Sequence, residues 1–190
     1  MFRRIRSPGA APPQPTPRLV VATLIATAGG AGLSPIAPGT VGALVAIPLA
    51  YFLDKLGTLS YVLAIVAVAG VGAWAAEVYD EAWGTHDAQS IVVDEVAGML
   101  LSVVCVPRTA MNLILGFLLF RLFDIWKPWP VRFVDQNVGG GIGCMADDLI
   151  AGCYAALLLL AIEKSGVVGL LAGYLSVLLA TGGCAVPILG

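Results

Sequence analysis

The chain sets carboxylates where an apolar sequence should avoid them. Asp94 and Glu95 are adjacent in DAQSIVVDEVAGML, Asp147 and Asp148 are adjacent in GGGIGCMADDLIAG, and Asp124 follows Arg121 by three residues in RLFDIWKPWP. A carboxylate in hydrocarbon costs about 2.5 to 3.5 kcal/mol even on the lenient insertion scale, so this set needs compensation. A bound divalent cation supplies it. Only one histidine is present and the cysteines (Cys105, Cys144, Cys153 and Cys184) have no zinc spacing, so the donors are oxygen, which suits a hard ion such as magnesium. Asp94, Glu95, Asp147 and Asp148 are the expected metal ligands. Carboxylates at helix starts are also stabilised by the helix dipole, by about 0.3 to 1 kcal/mol each, which accounts for one member of each pair but not both. Adjacent helical residues point about 100 degrees apart, so one acid of a pair is expected to ligate while its neighbour serves another partner.

Basic groups follow close behind. Arg121 and Asp124 share a helical face at i and i+3, and Lys127-Pro128 marks the helix end, so all three can address one pocket. The bland alternative is an intrahelical ion pair with a lysine snorkelling beside Trp126 and Trp129. Arg121 and Lys127 are read as phosphate-binding, since a planar guanidinium pairs bidentately with phosphate. Thr40 in SPIAPGT, and Gly140 and Gly141 just before the acidic pair, are assigned to the same task through exposed backbone N–H groups. Close helix packing is the competing reason for those glycines. His86 beside Asp87 can give a proton to a leaving alkoxide, and Asp87 or Asp124 can be the base or nucleophile. No cysteine is followed six residues later by arginine, no DxD motif occurs, and a histidine-nucleophile phosphatase needs two histidines. Carboxylates, a hard metal and phosphate-holding cations together describe phosphoryl chemistry.

The elements that must position these groups are membrane helices. Of 190 residues, 59% are hydrophobic and only 12% charged, against about one quarter charged in soluble chains, and the mean hydropathy is +0.94. The apolar runs pair as Val41–Leu53 with Leu59–Ala76, Ile91–Val106 with Ala110–Phe123, and Leu149–Ile162 with Val167–Ala180. The expected fold is therefore an all-α polytopic membrane bundle of about three helical hairpins, several runs being short enough to need tilt or re-entry. Each hairpin returns the chain to the side it left, which brings all the polar motifs to one face. Basic residues in the tail and at Arg121, Lys127 and Arg132 make that face cytoplasmic, so Leu19–Gly32 is an interfacial or re-entrant helix. Ala26-Thr27-Ala28 resembles a signal-peptide cleavage site, but cleavage there would leave a purposeless GGAGLSPIAPGT terminus, so the segment is read as retained. Residues 1–17, with three arginines and five prolines, are expected as a disordered basic tail, and 18–190 as one membrane-embedded domain. The cysteines read as small core residues.

Three motifs, LSPIAPGTVGALVAIP, HDAQSIVVDEVAGM and FRLFDIWKPWPVRFVDQNVGGGIGCMADDLIAG, together resemble the phosphatidylglycerophosphatase A family in order and spacing, over roughly residues 30 to 155. The resemblance implies a magnesium-dependent enzyme of the bacterial inner membrane, multi-pass, that converts phosphatidylglycerophosphate to phosphatidylglycerol and phosphate. Carried over by position, it picks out Pro38, Gly39, Thr40, His86, Asp87, Asp94, Glu95, Gly98, Arg121, Asp124, Lys127, Pro128, Asp135, Gly140, Gly141, Asp147 and Asp148. Gln136, Gly139 and Cys144 depart from the family pattern, which would loosen the phosphate loop. The partners implied are the phospholipid and the bilayer, with no nucleic acid. A small cation transporter or channel using the same carboxylates is the alternative, and a non-catalytic lipid-binding member a third reading. A transporter would carry its acids near mid-span, whereas these fall at helix mouths.

Overall fold

A computed structural model describes residues 13–86 and 88–180. Among them are eight α-helices and no strand. They are α1 (Pro17–Ala26), α2 (Pro38–Asp54), α3 (Thr58–Trp83), α4 (Val93–Ser102), α5 (Ala110–Trp126), α6 (Val131–Asn137), α7 (Gly140–Lys164) and α8 (Val167–Ala180), with a single 3-10 turn at Ala31–Leu33. Two of them, α3 with 26 residues and α7 with 25, are long and apolar enough to cross a membrane by length and composition. At 1.5 Å per residue each extends for about 37 to 39 Å.

Several boundaries differ from the sequence expectation, each for a physical reason. The run Leu59–Ala76 continues as α3 to Trp83, because Val78, Tyr79 and Asp80 are buried and Gly84, in the left-handed region, ends the helix. The run Ile91–Val106 yields only the ten residues of α4, about 15 Å, and α4 is buried around most of its circumference. The largest correction concerns GGGIGCMADD, expected as a loop leading into an acidic helix start. It is the first two turns of α7, and Asp147 and Asp148 sit inside the helix. Cys105 and Cys153 are exposed rather than in the core, and Cys184 lies outside the described residues.

Short α4 forms the centre. Its principal neighbours are α7, α2 and α3, and α7 in turn packs on α5, α3 and α6, so the most extensive packing, α4 on α7 and α5 on α7, joins helices that are not consecutive. One apolar cluster joins α2, α4, α5 and α7 around Met99, Leu100, Phe120 and Leu159; a second joins α1, α3 and α4 around Ala22, Ala75, Tyr79 and Val93. Backbones touch where α4 crosses α7: a Cβ at Gly152 would stand 2.5 Å from the Gly98 carbonyl oxygen, and one at Gly98 would strike the Phe120 ring. Any larger residue at either position would force the helices apart.

The bundle has two distinct ends. At one, Arg108 donates to Asp54 at 3.0 Å and to the Val104 carbonyl at 2.9 Å while stacking over Tyr61, whose hydroxyl donates to the Leu100 carbonyl. This ties the end of α2, the start of α3 and the α4–α5 connection together. The opposite ends of α2, α4 and α5 meet the polar residues.

Candidate active site

Four polar segments far apart in sequence line one cavity of about 330 Å³: Ala37–Gly39, Ala88–Glu95, Arg121–Lys127 and Asp147–Asp148. Asp94 and Glu95 occupy the first turn of α4, where the exposed N–H groups favour negative charge, and Asp94 accepts from the Glu95 N–H at 3.0 Å. Asp148 arrives from α7. One carboxylate oxygen each of Asp94, Glu95 and Asp148 lies within 4.8 Å of the others. Gly39 at the start of α2 makes room for this cluster, since a Cβ there would collide with Glu95 Oε1.

The electrostatics are lopsided. At an effective dielectric of about 20, two carboxylates at that separation repel by roughly 3 kcal/mol. Six acids surround the cavity or bond to its lysine (Asp94, Glu95, Asp124, Asp135, Asp147 and Asp148), against two cations, Arg121 and Lys127. Both cations are already committed. Arg121 Nη1 donates to Asp124 Oδ2 at 2.6 Å and stands 3.9 Å from Glu95 Oε1. Lys127 Nζ lies 2.5 Å from Asp135 Oδ1 and 2.7 Å from Asp147 Oδ2. Burial alone would lower the Lys127 pKa, but hydrogen bonds and charge from Asp135 and Asp147 outweigh it, so the ammonium is held above its ordinary value and stays charged. Glu95 Oε2 and Asp148 Oδ2 are buried with no hydrogen-bond partner among the described residues. Buried acceptors without a donor, all oxygen and all on one cluster, fit a divalent hard cation.

The structure thus separates the four acids expected as ligands: Asp94, Glu95 and Asp148 cluster, while Asp147, the neighbour that points elsewhere, binds Lys127. Asp124 lies in the cavity wall on Arg121. Thr40 is the third residue of α2 and does not line the cavity, whose wall there is Ala37, Pro38 and Gly39. Gly140 and Gly141 lie away from it too, and the Gly141 N–H donates to Glu77 Oε2 at 2.8 Å. His86, exposed, borders a neighbouring pocket of about 50 Å³ that shares Asp147 with the cavity. Asp87 lies outside the described residues.

The sequence reading passes over Asp80 and Glu77, takes Cys144 only as a departure from the family pattern, and picks out Asp135 without a role. Cys144 donates its thiol to Asp94 Oδ2 at 2.9 Å, from the α7 turn before Asp148. Asp80, buried at the end of α3, accepts from the Thr85 hydroxyl at 2.7 Å and so fixes the loop leading to Ala88 and Asp94. Asp135 joins Lys127, and Glu77 anchors the start of α7. The i, i+4 spacing of Cys144 and Asp148 was the one available signal.

An all-helical protein with an acid-rich cavity and two fixed cations at the ends of apolar helices has the groups that phosphoryl chemistry at a membrane needs. Comparison with known proteins gives the same class: residues 24–163 match the model of the phosphatidylglycerophosphatase A family, and the chain belongs to that family. It is 40% identical over 149 residues to phosphatidylglycerophosphatase A of Escherichia coli, covering 78% of this chain and 87% of that one. It is 35% identical over 142 residues to the protein of the same name from Haemophilus influenzae, covering 74% and 87%. A relative from Bacteroides thetaiotaomicron, named as a candidate phosphatidylinositol-3-phosphatase, is 41% identical over 144 residues, covering 72% and 89%. No solved structure matches.

Proposed function

We propose that the protein hydrolyses the terminal phosphomonoester of phosphatidylglycerophosphate, with magnesium held by Asp94, Glu95 and Asp148, in a multi-pass bundle of the bacterial inner membrane whose cavity faces the cytoplasm. The observation that carries this reading is the buried three-carboxylate cluster with two unpartnered oxygens, set beside a guanidinium and an ammonium. Magnesium bound there would supply Lewis-acid polarisation of the phosphate oxygens. Asp124 aims Arg121, whose Nε has no partner among the described residues, at the phosphate. Lys127 spends two of its three N–H donors on Asp135 and Asp147, which leaves the third for a phosphate oxygen.

In the reaction a water oxygen bonds to phosphorus as the bond from phosphorus to the glycerol oxygen breaks. Asp124 takes the water's proton, and the departing oxygen keeps the bonding electrons and takes a proton from His86. In this reading the three hairpins are α2 with α3, α4 and its following turn with α5, and α7 with α8, while the short α1 lies inside rather than across the bilayer. The relatives' names support a phospholipid phosphomonoester as substrate, and the family supports the glycerol headgroup. A cation channel has less support, because the far end of α2 and the α4–α5 connection are tied together by the Arg108–Asp54 ion pair over Tyr61.

The test is phosphate release by the purified chain from phosphatidylglycerophosphate, phosphatidylinositol 3-phosphate and phosphatidic acid at equal surface fraction with magnesium. Turnover of the first at least tenfold above the others is expected. Preference for the inositol lipid would move the substrate assignment, and no release from any of them would end the phosphatase reading.

A further inference from the structure

An open groove of about 830 Å³ runs beside the site and takes no part in the chemistry above. One wall is a stripe of α3, where Gly70, Ala73, Trp74 and Glu77 recur at i, i+3, i+4 and i+7. The other wall is the start of α7 at Gly140 and Ile142, the latter 72% exposed. Glu77 does not offer a free carboxylate to the groove, since it accepts from the Gly141 N–H. Arg18 of α1 and His86 stand at its rim.

Three features say what fills it. The groove adjoins the carboxylate cavity through shared walls: His86 and Gly140 belong both to the groove and to the small pocket next to it, and Asp147 belongs both to that pocket and to the cavity. Its length suits the upper part of an acyl chain, because on α3 it runs from Gly70 to Val78, eight residues or about 12 Å along a helix long enough to span. Its chemistry is graded, with apolar walls below and a cationic or proton-bearing rim at Arg18 and His86. A volume of this size is in the range that holds an extended small molecule.

We infer that the α3–α7 groove holds the diacylglycerol part of the substrate lipid, with Arg18 at the bridging phosphodiester and the headgroup passing His86 to the carboxylate cavity. This rests on the phosphatase reading and deepens it. The lipid reaches the site sideways from the bilayer without leaving it, and the leaving oxygen lies on the His86 side. Phosphatidic acid, which has no bridging phosphodiester, cannot use Arg18 and the cavity together.

Gly70→Phe puts a ring into the groove from a position where a Cβ meets nothing within 4 Å. Phosphate release by the purified full chain is measured on phosphatidylglycerophosphate with two oleoyl or two hexanoyl chains. The expected result is a KM for the long-chain lipid raised at least tenfold with kcat within twofold, and both constants within twofold of wild type for the short-chain lipid. Arg18→Gln is expected to raise KM at both chain lengths. A second readout needs no turnover: phosphatidylglycerol with a diazirine in its acyl chain should crosslink to the segment 70–78 in wild type, at least fivefold less in Gly70→Phe. Long-chain constants unchanged by Gly70→Phe, or crosslinks spread evenly over the exposed helices in both proteins, would overturn the groove assignment. Concentrated crosslinks in a wild-type protein that releases no phosphate would leave the groove standing and remove the phosphatase reading instead.

Discussion

At the scale of single residues, the site is an excess of buried negative charge held in place by neighbours. Glu95 and Asp148 each keep an oxygen without a donor among the described residues, so each destabilises the metal-free protein. Glu95→Gln and Asp148→Asn should therefore raise the thermal midpoint in EDTA, by the few degrees that about 1 kcal/mol gives in a chain of this size, while cutting phosphate release at least a hundredfold. Differential scanning fluorimetry and the release assay check the two halves, and a lowered midpoint would show that the carboxylates are structurally satisfied. Residue types alone made the chemistry legible: paired acids, a nearby arginine and lysine, and one histidine. What they could not show was the choice of partner. Nothing local tells Lys127 to take Asp147, twenty residues on, or Cys144 to reach Asp94, fifty residues back, because those pairings are made where α5, α4 and α7 come together.

At the scale of elements, helix existence was readable from apolar runs, and the error lay at polar and glycine-rich boundaries. GGGIGCMADD has poor helix propensity, each glycine costing about 1 kcal/mol relative to alanine. It is helical because the absence of side chains lets α7 approach its neighbours: a Cβ at Gly141 would run into the Ala73 carbonyl on α3, and one at Gly143 into the Val138 carbonyl. Tertiary packing outweighs propensity there, and sequence periodicity does not register it. The same close approach gives a paired prediction. Gly152→Val should destabilise the protein by about 3 kcal/mol or more, because α4 and α7 cannot separate without opening the core. Gly169→Ala in α8, where a Cβ meets nothing within 4 Å, should be neutral or stabilise by up to about 1 kcal/mol. Thermal midpoints of the two purified variants decide it, and equal behaviour would contradict the packing account.

At the scale of the whole molecule, the bundle is a clamp at one end and a chemical site at the other. Arg108, Asp54 and Tyr61 tie three elements together, and at the opposite ends of α2, α4 and α5 a cavity collects acids from α4, α5 and α7. That polarity was legible from the distribution of polar motifs between alternate connections, whereas the central role of ten-residue α4 was not, since its apolar run reads as a full-length helix. The central claim is that the carboxylate cluster works by holding a divalent cation for hydrolysis of a lipid phosphomonoester. The most direct measurement is phosphate release from phosphatidylglycerophosphate by the purified full chain after EDTA treatment, followed by magnesium add-back. At least a hundredfold loss in EDTA, restored by magnesium in wild type but not in Asp148→Asn, is the result this account predicts; undiminished release in EDTA would contradict it.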